Sequence, residues 1–505
     1  VNAGQVIDWL ATNGCAYPSA HLKMDSREIA RGDVLVAVPG TVPGRSVDGR
    51  AFIEAAVARG AGAILAEAEG RPAIEPHVPT LWLANLRAQL GDLAARFYGA
   101  PTQKLLTIGV TGTNGKTSCS QWIAQMLTFA GRRCAVHGTI GAGMIDRPLE
   151  KTVLTTPDVI TMQRDARRFL DAGAVAFALE VSSIGLDQHR LDGMEFRVAL
   201  FTNLTRDHLD YHHTMEAYGR AKAQLFDWPT LTHAVLNLDD AFGQQLALQL
   251  HERGGVQVIG FTTADASAEG LALRLRASAI GASGTGLSFV VDDGARSAQL
   301  DVPLVGQFNV ANLLGVLGVA LACGLPFKQA CQLAPQLVPP PGRMQRVGEN
   351  DETLAVIDYA HTPDALVQAL AALRPLAQAR RGALWVVFGA GGDRDPGKRA
   401  PMGAAAAAGA DCIVITSDNP RSEDATAIVG AVAAGVPAGR GAAVRRIVDR
   451  AEAIAFALRE AAPNDVVLVA GKGHEDYQEI RGERRDFSDV AHARAALAAK
   501  RGHPC

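Results

Sequence analysis

Residues 105–131 read LLTIGVTGTNGKTSCSQWIAQMLTFAG. An apolar run ends at Thr111, Gly112-Thr113-Asn114-Gly115 makes a tight turn, and Lys116-Thr117-Ser118 opens an amphipathic stretch. Strand, glycine turn and helix in that order form a loop whose backbone N–H groups cradle phosphate, helped by the helix N-terminus. The lysine of such a loop reaches terminal phosphates and the following hydroxyl residue holds Mg2+. That reading assigns Gly112, Thr113, Asn114, Gly115, Lys116, Thr117 and Ser118 to a nucleotide. The strict pattern G-x-x-x-x-G-K-[ST] fails at one place, since Val110 stands where its first glycine belongs.

The strand–helix alternation continues outward. AVAFALEVSS (174–183), RVALFTNLT (197–205) and THAVLNLDD (232–240) are further apolar strands between amphipathic segments. Such alternation predicts a mostly parallel sheet covered by helices. Residues 267–304 instead alternate with period two between glycine turns, which predicts a small antiparallel insert. FYGAPTQKL (97–105) reads as a linker, and VPPPGR (338–343) as a second boundary, because three prolines cannot continue a helix. The predicted class is therefore α/β in three domains. Residues 1–97 form a small α/β unit, residues 98–338 a central phosphate-loop domain, and residues 339–505 a Rossmann-like domain. In the last, LWVVFGAGG, DCIVITSDN and VVLVAGKG each run from an apolar strand into a polar loop. A parallel sheet gathers such loops at its carboxyl edge, where ligands bind.

Composition narrows the classes. The net charge of −3 argues against a dedicated nucleic-acid binder. Seven scattered cysteines without a CxxC pair suggest reduced thiols rather than zinc or disulfides. The opening VNAGQVIDWLATNG lacks the basic start and apolar core of a signal peptide. The most apolar stretch, LLGVLGVALACGLPF, is shorter than the ~20 residues of a spanning helix. A cytoplasmic chain without membrane insertion is expected.

Two further places carry chemistry. Glu180 closes an apolar strand, and His208 lies in NLTRDHLDYHH, where His208, His212, His213, Asp207 and Asp210 crowd one loop. A carboxylate beside a phosphate loop is a candidate Mg2+ ligand. SDNPRSED (417–424) mixes both signs of charge on one loop after a strand, as a site gripping an amino acid requires. Pro420 stiffens that loop, and the Arg421 guanidinium is a planar fork suited to a carboxylate. Asp418 and Glu475 can receive ammonium groups.

TGTNGKT, EVSS, TNLTRDHLDYH, GQFNVAN, PGRMQRV, DYAHTPDAL, GGDRDPGKR, DNPR and GKGHEDYQ occur together in this order. The set closely resembles the Mur ligases over nearly the whole chain, including DSREIARGDVLVAVPG and DGRAFIEAA near the start. The family uses GTNGKT in place of the strict loop, which accounts for Val110. The resemblance implies a UDP-binding N-terminal domain, a central ATPase domain and a Rossmann-like amino-acid-binding domain. It implies ATP-dependent amide formation through an acyl phosphate, with ATP and Mg2+ required. The substrates it implies are UDP-MurNAc-L-Ala-D-Glu and meso-diaminopimelate, acted on by a monomer.

Residue by residue, the resemblance makes Lys116, Glu180, His208 and Lys222 catalytic. Thr117, Glu180, His208 and Lys222 would serve the metal, with Lys222 carbamylated. By residue type alone Lys222 reads as a solvated helix lysine. Asn309 and Asn312 would face adenine, while Arg343, Asp358 and His361 complete the nucleotide side. Met24 and Ser26 would contact uridine, and Thr155, Thr156, Ser182, Gln188 and Arg190 the acyl-sugar portion. Arg394, Asp418, Asn419, Pro420, Arg421, Gly471 and Glu475 would read the incoming amino acid. Leu154 and Ile184 depart from residues common in the family, and the 41–47 loop is long, so uridine contacts such as Ser46 are not fixed. The alternatives are an L-lysine-adding member, another Mur or folylpolyglutamate-type ligase, a non-catalytic nucleotide-binding regulator, and a phosphate-loop motor or GTPase.

Overall fold

In the computed structural model, residues 41–47, 283–285, 349–351, 440–443 and 503–505, and the side chain of Asp210, lie outside the described residues. The expected uridine contacts in the 41–47 loop and the part given to Asp210 fall there. The chain packs as two compact units. One comprises Val1–Leu236, Asp240–Val258 and Glu269–Leu271; the other comprises Asn237–Asp239, Ile259–Ala268 and Ala272–Cys505.

The first unit begins with a four-stranded parallel sheet, Leu22–Lys23, Val34–Ala37, Ala63–Glu67 and Thr80–Leu83, paired in chain order. Its central strands are apolar but for Glu67, because both faces are covered. Helices Ala3–Thr12 and Leu86–Phe97 pack Val6, Leu10, Leu90 and Leu93 on one face, and Ile53 and Ala56 cover the other. Leu86–Phe97 ends where the linker was expected, and only a short turn of helix, Pro101–Lys104, precedes the next strand.

That strand, Leu106–Thr111, is central in the next sheet. It pairs in parallel with Ala176–Glu180 on one side and Val198–Phe201 on the other. Cys134–His137 extends the sheet beyond the first, and His233–Asn237 beyond the second, both parallel. The register sets Val110 beside Glu180 and Thr111 beside Phe201. The phosphate loop, Glu180 and the loop after Phe201 therefore leave the sheet at one edge. Val110 is a fully buried strand residue, and the turn starts only at Gly112.

Leu271–Ala282, Leu287–Asp292 and Ser297–Val302, in the second unit but for Leu271, form the antiparallel meander that the period-two pattern predicts. Phe308–Ala322 is the apolar stretch, a helix buried on nearly all sides. Beyond the prolines lies a six-stranded sheet. Leu354–Asp358, Val466–Ala470, Leu384–Phe388, Cys412–Ile415 and Val444–Arg446 are parallel neighbours in that order, with Gln345–Val347 antiparallel at the edge. The loops after Asp358, Phe388, Ile415 and Ala470 share the carboxyl edge, as expected. A hairpin, Tyr477–Ile480 with Glu483–Asp486, follows. Among the described residues no helix is long and apolar enough to cross a membrane.

Candidate active site

The phosphate loop is tied to the neighbouring strand end. Thr113 N–H donates to the Asn203 carbonyl at 2.8 Å, and Asn114 N–H to Asn203 Oδ1 at 2.9 Å. Thr202 Oγ1 donates to the Asn114 carbonyl at 2.6 Å. A Cβ on Gly112, whose φ is +145°, would lie 1.9 Å from Thr202 Oγ1, so only glycine lets the two segments meet. Lys116 curls back over the loop, its Nζ donating to the Gly112 and Thr113 carbonyls at 2.9 Å each.

Lys222, in helix Met215–Ala223, overturns the reading of its residue type. It is 1% exposed, and its Nζ donates to the same Gly112 carbonyl at 2.8 Å. The Tyr218 ring lies 4.3 Å away. Burial, with the Lys116 charge adding to it, pushes the Lys222 amine down to about 6. The amine is therefore neutral at physiological pH, the nucleophilic form of a lysine.

Glu180 is 1% exposed and fully engaged. Its Oε2 accepts from Thr117 Oγ1 at 3.0 Å and Thr139 Oγ1 at 3.2 Å, and its Oε1 accepts from Thr139 N–H at 2.8 Å. A Cβ on Gly138 would fall 2.1 Å from Glu180 Oε1. The expected metal residues divide. Thr117 and Glu180 meet directly, whereas the His208 side chain is 47% exposed and pairs with Asp207 at 3.6 Å. The crowded loop also divides, since His212 turns inward to Ser183 Oγ at 2.9 Å. Among the described residues no group of three or more His, Cys, Asp or Glu forms a metal site. The Thr117–Glu180 pair offers the hard oxygens that Mg2+ takes, so the residues fit that ion. Lys222 fits once carbamylated, when its nitrogen carries an anionic oxygen pair.

The residues expected to hold the acyl-sugar portion gather around Glu180, through Thr139 and through its backbone carbonyl. Thr155 Oγ1 lies 3.0 Å from Thr139 Oγ1, and Thr156 Oγ1 donates to the Glu180 carbonyl at 3.0 Å. Ser182 N–H donates to Thr156 Oγ1 at 3.1 Å. Arg190 donates to the Thr156 carbonyl at 2.8 Å and to Gln188 Oε1 at 2.6 Å, and Gln188 reaches Tyr211 at 3.2 Å. Met24 and Ser26 follow strand Leu22–Lys23 at the carboxyl edge of the four-stranded sheet.

In the second unit, Asn309 and Asn312 are buried and face each other. Asn312 Nδ2 donates to Asn309 Oδ1 at 2.9 Å, and Asn309 Nδ2 to the Val305 carbonyl at 2.7 Å. Asp358 accepts from the backbone N–H of Met344 and Ala360 at 2.9 Å each. Desolvation raises its carboxyl, against the Arg343 charge. Tyr359 joins the expected residues here, with the Arg343 guanidinium 5.0 Å over its ring and the His361 ring 4.7 Å away.

The loop 417–424 is buried in its first half and exposed at Ser422 and Asp424. Ser417, Asp418 and Asn419 are buried. Arg421 has φ +51°, a left-handed backbone, and is held there on both sides. Its N–H donates to the Glu479 carbonyl at 3.0 Å, and Arg481 N–H donates to its carbonyl at 2.6 Å. One arm of its guanidinium, Nη1, is spent on the Gly392 carbonyl at 2.7 Å. Arg394 lies beside it, exposed, on the loop after Leu384–Phe388. Asp418 and Glu475, read as ammonium acceptors, already hold one: the buried Lys472. Beneath them Arg450 and Asp489 make a bidentate pair at 2.7 Å with both side chains 0% exposed. Arg450 also donates to the Ser417 and Ala470 carbonyls.

Sequence reasoning missed Thr139, Tyr211, Tyr218, Tyr359, Lys472 and the Arg450–Asp489 pair. Each is an ordinary residue type whose role appears only through its neighbours. The visible signals were the two glycines flanking Lys472 in GKG and the motifs TNLTRDHLDYH and DYAHTPDAL, which hold Tyr211 and Tyr359.

A phosphate loop on a parallel sheet, with one α/β sheet before it in the chain and another after it, defines a nucleotide-dependent α/β enzyme. Residues 110–320 match the Mur ligase middle domain, residues 342–473 the Mur ligase glutamate ligase domain, and residues 19–98 the Mur ligase family catalytic domain. The UDP-N-acetylmuramoyl-L-alanyl-D-glutamate–2,6-diaminopimelate ligase of Janthinobacterium sp. (strain Marseille) is 48% identical over 501 residues, 98% of this chain and 97% of that one. Its namesake from Ralstonia nicotianae is 50% identical over 501 residues, 98% and 96% of the two chains. A solved structure of a ligase of that name matches with a TM-score of 0.69 at 37% identity, covering 96% of this chain and 95% of its own. The chain belongs to the Mur ligase family and is an ATP-dependent, amide-forming ligase of its three-domain α/β architecture.

Proposed function

We propose that the chain joins meso-diaminopimelate to the D-Glu γ-carboxylate of UDP-MurNAc-L-Ala-D-Glu, as a cytoplasmic monomer in peptidoglycan precursor synthesis. Its segments 1–97, 98–338 and 339–505 take the UDP end, ATP and the amino acid in turn. The observation that carries the ligase reading is the buried Lys222 side chain, 1% exposed, with its Nζ on the Gly112 carbonyl of the phosphate loop. A phosphate loop alone is common to motors, switches and hydrolases. The names of the full-length relatives support the two substrates.

A carboxylate is a poor electrophile, so its γ-oxygen first attacks the γ-phosphorus of ATP, and ADP leaves. The diaminopimelate amine then attacks the acyl phosphate carbonyl, the C–N bond forms, phosphate departs, and the amine gives up a proton. The protein's work is to position two anions and neutralise their charge. The N–H groups of Gly115–Ser118 and the Lys116 ammonium would face the phosphates, while the Thr113 and Asn114 N–H groups tie the loop to Asn203. Thr155, Thr156, Ser182, Gln188 and Arg190 hold the acyl chain, and the Thr139 bridge fixes them relative to Glu180. Thr117, Glu180, His208 and carbamylated Lys222 would hold Mg2+, which would supply charge neutralisation. The neutral Lys222 amine adds to CO2, forming an N–C bond and releasing one proton. Asn309, Asn312, Arg343, Asp358 and His361 are the further residues proposed to serve the nucleotide. Arg394 and Arg421 take the distal carboxylate of diaminopimelate, which L-lysine lacks.

The test is phosphate release with product mass from ATP, Mg2+ and UDP-MurNAc-L-Ala-D-Glu, with diaminopimelate and L-lysine compared in parallel. Turnover with diaminopimelate alone is expected. Turnover with lysine would overturn the reading of the DNPR loop, and no turnover with either would overturn the substrate assignment.

A further inference from the structure

Lys472 lies between two glycines that leave its backbone little choice. Gly471 has φ +121° and Gly473 has φ +54°. A Cβ on Gly471 would approach Asp418 Oδ2 to 2.9 Å, and one on Gly473 would meet Tyr359 Cβ at 2.8 Å and the Gly342 carbonyl at 2.9 Å. Between them the Lys472 side chain is 0% exposed. Its Nζ donates to Asn419 Oδ1 at 2.8 Å, Glu475 Oε2 at 3.3 Å and Asp418 Oδ1 at 3.4 Å, and lies 5.6 Å from the Tyr477 ring. Asn419 Nδ2 closes the ring of contacts on Glu475 Oε2 at 2.9 Å. Three acceptors converge on one buried cation, and all three belong to the loop edge that the proposed function gives to the amino acid.

We infer that Lys472 is a built-in counter-ion that sets the charge of the amino-acid subsite, and so is a specificity-determining positioning residue. The inference rests on the proposed amino-acid role of Asp418, Asn419 and Glu475. Two carboxylates and one lysine leave the cluster with one net negative charge, a match for one substrate ammonium. Arg450 does not alter that balance, because its guanidinium is matched bidentately by Asp489. Without Lys472 the Asp418 and Glu475 carboxylates would lose the cation they share, and Asn419 would lose its closest side-chain donor. Like charges so placed repel, and the substrate would meet a distorted loop edge.

The test uses the full chain with Lys472→Met and Lys472→Gln, each measured for kcat and for KM toward all three substrates. Loss of one member of a buried charge cluster should raise KM for diaminopimelate about 100-fold or more. KM for ATP and for the UDP substrate should stay within about threefold. Both variants should behave alike, since both lose the charge; where the Met variant fails to fold, the Gln variant decides. Restoration by Gln would reduce Lys472 to a hydrogen-bond donor and overturn the counter-ion assignment. An unchanged diaminopimelate KM, or equal losses for all three substrates, would overturn it as well. If the wild-type chain does not ligate diaminopimelate, it is the proposed function that falls, a result visible before any variant is made.

Discussion

Replacing Lys222 by Met should make the protein more stable while abolishing ligation. The Lys222 amine has an ordinary value of 10.5 and sits at about 6 in the folded chain, because burial disfavours its charged form. Between those values the unfolded chain binds the proton that the folded chain refuses. A lowered lysine therefore costs nothing above pH 10.5, costs progressively more as pH falls, and costs a constant amount below about 6. At pH 7.5 the gap to 10.5 is three units, and at ~1.36 kcal/mol per unit the cost is about 4 kcal/mol. Met fills similar space without that cost. It forfeits the hydrogen bond to Gly112, worth about 1 kcal/mol, and the Gly112 carbonyl keeps Lys116 Nζ at 2.9 Å. The net gain expected is about 3 kcal/mol at pH 7.5, falling to a few tenths at pH 9.5, where the same arithmetic leaves about one unit. Urea unfolding of both proteins in CO2-free buffer at the two pH values measures it. A variant less stable than wild type at pH 7.5, or a gap that does not shrink with rising pH, would refute a neutral buried amine. Wild-type ligation should fall in CO2-free buffer and return with bicarbonate, whereas the variant should ignore both.

Three other perturbations separate the parts of the site. Arg421→Ala keeps the same left-handed backbone requirement but removes the guanidinium, so KM for diaminopimelate should rise on the order of 100-fold while that for ATP changes little; equal changes would make the loop merely structural. Gly138→Ala places a methyl 2.1 Å from Glu180 Oε1 and should cut kcat/KM by about 100-fold or more, with stability lowered by only about 1–3 kcal/mol; near-normal turnover would remove Glu180 from the chemistry. Arg450→Met strands Asp489 in a dry interior and should cost about 3–5 kcal/mol in denaturant unfolding, with Arg450→Met/Asp489→Leu costing much less; equal losses in single and double variants would deny the pairing argument.

Much of the fold was legible because the chain alternates in pattern as it alternates in structure. The apolar runs at 106–111, 176–180, 198–201, 384–388, 412–415 and 466–470 are buried on both faces of parallel sheets, so each reads as an unbroken hydrophobic strand. The meander within 267–304 has one polar face and so shows period two. The division into compact units was not legible. It runs through residues 237–271, since packing between segments far apart in sequence leaves no local composition signal.

The sequence by itself determined where the phosphate loop lies, which strand ends carry polar loops, and, through motif order, the family. These depend on residues adjacent in the chain, or on residue types with few substitutes, such as Gly112. Only the tertiary structure decided the charge state of Lys222, the cation already seated between Asp418 and Glu475, and the Thr139 bridge from Glu180 to Thr155. A lysine's type says charged and solvated. Its protonation and its partners are set by desolvation and by groups brought from distant strands, and neither exists until the sheets have formed.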